Sequence, residues 1–206
     1  MARPRLLSDE QIDAAAREVF LEHGPQARVS LVGEKLGVSH AALLQRAGSK
    51  ERLLRRALGP GRPPVFPALS ARPPLVGVRE RLIDLLLELH TFLTKVVPGL
   101  LMLRAAGVVM EAAIANAEPS TVALRRQLST WLARTGAFEP PRARALAEAL
   151  LSTLEAHCYN AHLGGASFAG GPPKRLFEGL LDAFAPELGR RKKTPRVTRE
   201  SRKRSA

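Results

Sequence analysis

Residues 37–54 read GVSHAALLQRAGSKERLL. The stretch contains two helix starts. Ser39 precedes the run His40 to Ala47, and Ser49 precedes a second run opened by Lys50 and Glu51. A serine in that position accepts a hydrogen bond from a free amide of the first turn. Gly37 supplies a residue tolerant of positive φ. Gly33 lies four residues before it and Leu43 six after it. A tight helix-turn-helix needs a small residue where its helices touch and a positive-φ residue in the turn. It also needs an apolar residue on the second helix to lock the crossing. Gly33, Gly37 and Leu43 fit those needs. The same reading puts Ala41, Leu44 and Ala47 on the outward face, where a groove-reading helix usually shows polar or aromatic groups.

Upstream the pattern stays helical. Ser30 is expected to cap a short helix, Leu31 to Leu36. Ser8-Asp9-Glu10-Gln11 has the form of a capping box. The helix it opens carries Ile12, Ala15, Ala16, Val19 and Phe20 on one face and stops at His23-Gly24-Pro25. Downstream of Ser49, Leu53, Leu54 and Leu58 face inward.

The whole chain sets the limits. It has 206 residues, 45% of them apolar, and no run alternates with the period of a half-buried strand. The fold class expected is all-α. The single cysteine, Cys158, excludes an internal disulfide and gives no metal framework by itself. No secretory signal opens the sequence, since Ser8-Asp9-Glu10 ends the apolar run after Leu7. The most apolar region, Val96 to Met110, is interrupted by Pro98 and Arg104, short of the roughly 20 residues of a membrane span. The expectation is a soluble cytoplasmic protein with no membrane partner. The formal charge is +13. From Arg190 onward nine cations face only Glu200, a net +8, which leaves +5 for the other 189 residues. A tail with that charge and almost no apolar residue is expected to be disordered.

Four segments follow. Residues 1–58 hold the short helices. Residues 59–74, GPGRPPVFPALSARPP, carry six prolines and two glycines, so no helix can run through them and a linker or an extended cover strip is expected. Residues 75–188 hold longer amphipathic helices at about Val76 to Val97, Leu100 to Ala117, Pro119 to Gly136, 140–163 and 174–185. Residues 189–206 form the basic tail.

The run IDAAAREVFLEHGPQARVSLVGEKLGVSHAALLQRAGSKERLLRRAL resembles the N-terminal domain of the TetR family of transcriptional regulators. The shared features are the apolar first helix ending in glycine, a serine opening the second, the Gly-Val-Ser turn, and Gly-Ser-Lys-Glu. The resemblance covers residues 8–58. It implies a three- or four-helix DNA-binding domain followed by a helical ligand-binding and dimerisation domain. It further implies a homodimer on double-stranded operator DNA, usually a repressor released by a small-molecule inducer. Lys50 matches the family lysine that contacts phosphate. Two positions depart from the pattern. Leu44 replaces a tyrosine that hydrogen-bonds phosphate, and Ala47 replaces a phenylalanine that packs beneath the recognition helix.

The DNA-binding set expected is Ser30, Ser39, His40, Ala41, Leu44, Gln45, Arg46 and Lys50. Gln45 can form a bidentate contact to adenine, and Leu44 or Ala41 can meet a thymine methyl. Ser30 and Ser39 place helix N-termini near phosphates, and Arg46, Arg3 and Arg5 can add charge. An inducer pocket in the second domain draws on Phe92, Met102, Met110, Trp131 and Tyr159, which suit ordinary core equally well. His157 and His162 are five apart and Cys158 stands alone, which argues against a metal or a nucleophile. No cofactor, metal or catalytic set is expected. The helices at 140–163 and 173–185 are apolar on more than one side, as a two-fold four-helix interface requires. The alternative is a dimeric ligand- or partner-binding protein with a decayed DNA-binding head, supported by Leu44 and Ala47. A small helical enzyme ranks last.

Overall fold

In the computed structural model, residues 7–108, 120–164 and 173–189 are described. They form nine α-helices and no strand: α1 Asp9–His23, α2 Val29–Leu36, α3 His40–Ala47, α4 Lys50–Leu58, α5 Phe66–Ser70, α6 Val78–Ala105, α7 Ser120–Arg134, α8 Pro140–Gly164 and α9 Pro173–Phe184. A 3₁₀ turn, Pro186–Leu188, follows α9. The basic tail from Arg190, the residues Arg3 and Arg5, and Met110 lie outside the described residues.

Two apolar cores divide the chain. The first gathers Ile12, Ala16, Val19 and Phe20 of α1, Val32 of α2, Leu43 and Ala47 of α3, and Leu53 and Leu58 of α4. The second gathers Leu82, Leu86 and Leu89 of α6, Leu128, Trp131 and Leu132 of α7, Leu150, Leu151 and Leu154 of α8, and Phe177 and Leu181 of α9. At roughly 1.5–3 kcal/mol for each large side chain fully buried, these cores outweigh any local preference of the backbone.

That explains two departures from the sequence expectations. The helix expected to stop at Pro98-Gly99 continues to Ala105, with Pro98 inside it. An internal proline removes one backbone bond and costs about 3 kcal/mol or more. Here the turn is held from both sides. Val97 belongs to the second core, while Leu103, fully buried, belongs to the first. Residues 100–105 are therefore the end of α6 rather than the start of another helix, and 109–117 lie outside the described residues. The unbroken helix is long and apolar enough to cross a membrane by length and composition alone. Leu82, Leu86, Leu89 and Val97 on it pack in the second core and Leu103 in the first.

The proline-rich segment is the second departure. A five-residue helix, α5, forms inside it with Pro67 in its first turn, where a proline lacks no helical partner. Val65, Phe66 and Leu69 are buried in the second core, and Arg134 donates to the Ser70 carbonyl at 3.1 Å. This segment covers α7.

Candidate nucleic-acid interface

The helix-turn-helix is built as its glycines require. Gly37 adopts φ 67° and ends α2. The Val38 amide donates to the Gly33 carbonyl at 2.9 Å. A Cβ on Gly33 would lie 2.7 Å from the Val38 carbonyl oxygen, so only glycine admits this approach. Leu43 is 1% exposed and locks α3 onto the first core. Ser39 Oγ accepts from the Ala42 amide at 3.2 Å, and Ser49 Oγ accepts from the Arg52 amide at 3.1 Å. Ser8 and Gln11 complete the capping box on α1.

Two expectations need correction. Ser30 does not cap α2. The helix begins at Val29, Arg28 holds the cap position with no side-chain hydrogen bond, and Ser30 sits in the first turn. Val29 is buried in the first core, which draws the helix start back by two residues. Ala47 is not on the outward face; it is fully buried against the first core. Leu44 is half-buried and packs on that core as well. The small Ala47 lets α3 dock directly, so the helix does not need the larger ring beneath it.

The face that α3 shows to solvent is therefore His40, Ala41, Ala42, Gln45 and Arg46, with Ser39 before it and Lys50 after it, half-exposed. Arg46 is not free. Its Nε donates to Asp9 Oδ1 at 2.8 Å, and its terminal nitrogen donates to the Leu7 carbonyl. Asp9 also approaches Arg56 at 3.7 Å, and Arg56 pairs with Asp13 at 2.9 Å. These pairs tie the start of α1 to the ends of α3 and α4. Sequence reading missed Arg28, exposed at the start of α2, and Arg52, exposed beside the end of α3. Only the pairing of the neighbouring cations, which needs the fold, brings them forward.

Of the five pocket candidates, three belong to the second core. Trp131 is 1% exposed and lies in the second core, with Phe92 and Tyr159 half-buried against it. Met102 was expected in the second domain but packs on the first core, because α6 runs on past Pro98. Met110 lies outside the described residues. An open depression lined by Ser129, Pro140, Pro141, Arg144, Ala145 and Glu148 contains none of the five. His90 and His157 meet across α6 and α8 with ring centroids 5.5 Å apart. Burial, and then the neighbouring His157, hold the His90 imidazole below its ordinary value. Cys158 is buried, and that burial raises its thiol while the Thr94 hydroxyl opposes the rise. Among the described residues no group of three or more His, Cys, Asp or Glu side chains is placed to hold a metal ion.

Among the described residues, α6 crosses α1 and α4 of the head. A Cβ on Gly99 of α6 would lie 2.6 Å from the Leu58 carbonyl oxygen at the end of α4. Arg17 of α1 donates to the Ala57 carbonyl at 3.1 Å and to the Lys95 carbonyl of α6. Three helices are thereby fastened within one turn of Pro98.

Residues 12–57 match the family described as "Bacterial regulatory proteins, tetR family". No curated protein and no solved structure matches the chain.

Proposed function

We propose that this chain, a DNA-binding transcriptional regulator of TetR type by its first domain, acts as a homodimeric repressor released by a small apolar molecule held in the second domain. The observation that carries the reading is the docked recognition helix. Its crossing is fixed by Gly33, Gly37 and Leu43, and it presents His40, Ala41 and Gln45 to solvent. Gln45 is the base reader, by a bidentate contact to adenine. Lys50 contacts phosphate, which sets affinity without setting sequence preference. Because Ala47 is buried, the reading of a decayed head loses one of its two supports; Leu44 remains as the other.

Dimerisation is assigned to α8 and α9. Ala145, Ala149, Ser152 and Ala156 are exposed at helical spacing along α8, and Gly179 and Ala183 are exposed on α9. Small side chains in line let two helices approach closely, and a two-fold pair of heads matches two operator half-sites. Release follows as a population shift: a ligand favouring one setting of α6 changes the spacing of the heads through the Gly99 crossing.

The test is binding of the full chain to a labelled duplex selected from a randomised pool, against a scrambled duplex. Gln45→Ala is expected to change which sequence binds best, and Lys50→Ala to weaken both duplexes alike. An unchanged preference in Gln45→Ala removes the base reader from this account.

A further inference from the structure

We propose that Arg28, at the start of α2, and Arg52, beside the end of α3, are phosphate anchors of the DNA-binding head, and that they replace the contact Leu44 is unable to make. The inference rests on the regulator reading above. It comes from which cations the fold leaves available.

Eight Lys and Arg residues fall within the described head, residues 7–58. Five are committed to partners within the protein. Arg17 holds the Ala57 and Lys95 carbonyls. Lys35 pairs with Glu18, and Arg46 with Asp9. Arg55 pairs with Glu51, and Arg56 with Asp13. A guanidinium or ammonium already neutralised by a carboxylate displaces few counterions when DNA arrives, so it adds little to affinity. Arg28, Lys50 and Arg52 form no ion pair among the described residues. Lys50 is the contact already expected; the other two are new.

Their positions suit the task. Arg28 is exposed at the cap position of α2, where no side chain satisfies the free amides. In a helix-turn-helix the first helix crosses the phosphate backbone while the second enters the groove. A full positive charge at the start of that first helix adds to the partial charge of its amides. Arg52 is exposed at the other end. Its Cδ lies 3.4 Å and its terminal nitrogen 3.5 Å from where a Cβ on Gly48 would stand. The guanidinium thus folds over the C-terminal end of α3, in space that any larger residue at position 48 would take. Arginine is well shaped for the role, since its planar fork grips phosphate through two nitrogens. Leu44 has no donor and is turned half into the core.

The experiment measures affinity of the full chain against salt concentration, on the selected duplex and its scramble, for wild type, Arg28→Gln, Arg52→Gln and Arg52→Lys. Arg134→Gln, on the distant α7, is the control. Each phosphate neutralised contributes about 0.9 to the slope of log affinity on log salt. Arg28→Gln and Arg52→Gln are each expected to make the slope shallower by about that amount for every head bound. Both duplexes should weaken by the same factor. Arg52→Lys keeps the slope, Arg134→Gln leaves it alone, and thermal melting shows that all variants fold. Unchanged slopes in both Gln variants, with the site preference intact, overturn the anchors and leave the regulator reading standing. A loss confined to the selected duplex also overturns them, because it makes the residues base readers. Failure of the wild-type chain to select any duplex sinks the regulator reading, and the anchors with it.

Discussion

Gly33 and Gly99 have the same task in two regions of the molecule. Each lets one backbone rest on a carbonyl oxygen, with an added Cβ placed 2.7 Å from Val38 O in the first case and 2.6 Å from Leu58 O in the second. The first contact closes a turn between residues five apart in sequence. The second brings together residues 41 apart, on helices that belong to different cores. The first is readable because turn and glycine share a short motif. The second is hidden twice, by its sequence separation and by Pro98, which marks the spot as a helix end. Close approach itself is the common requirement, and only its sequence distance decides whether it can be foreseen.

The sharpest way to break the comparison is Gly33→Ala. Helix propensity alone favours alanine by about 1 kcal/mol, but the clash is with rigid backbone and is expected to cost about 2 kcal/mol or more net. Thermal melting gives the sign, and selective DNA binding should be lost with it. A rise in melting temperature would mean the turn relaxes freely. Gly99→Ala poses the same contest at the crossing. Destabilisation of about 1–2 kcal/mol is expected, and calorimetry on the full chain should show the head and the second domain unfolding in separate steps. A single transition at or above the wild-type temperature would show that the crossing is slack. Arg17→Gln, which removes the bridge from α1 to the Ala57 and Lys95 carbonyls, should cost less, about 1 kcal/mol for a half-buried side chain. Its loss should add to that of Gly99→Ala by less than the sum, since both act on one contact.

The smallest effect concerns the second domain alone. His90 is held below its ordinary value, so the unfolded chain takes up its proton first as the pH falls. This contribution is complete above the ordinary histidine value and is lost as pH drops through it toward the depressed one. The wild-type melting temperature should therefore fall more between pH 7 and 5.5 than that of His90→Gln. Equal falls would place the sensitivity elsewhere.

Much of the head was legible. Ser8, Ser39 and Ser49 announce three helix starts, and Gly37 and Leu43 fix a turn whose chemistry is local. Ser30 misled because a buried apolar residue, Val29, outweighed a side-chain cap. Ala47 misled because the outward face was judged from residue type, and α3 turned that small residue inward instead. The second domain was legible only as periodicity. Where its helices stop depends on packing across distant segments, as α5 inside the proline-rich stretch and α6 through Pro98 both show. The available cations near the recognition helix were illegible for the same reason. Arg46 looks free in the sequence until Asp9 is found beside it.

The end of α6 has one more consequence. Leu103 and Val108 lie in the same core as Phe20 and Leu43, so the head borrows its floor from a segment 45 residues beyond its own last helix. A fragment cut after Leu58 would carry every DNA-facing residue yet leave that floor open to water. Grafting this head onto another sensor is therefore a problem of choosing a splice point: the donor must supply the chain through Val108, just past the end of α6, or the recipient must furnish two apolar side chains in its place.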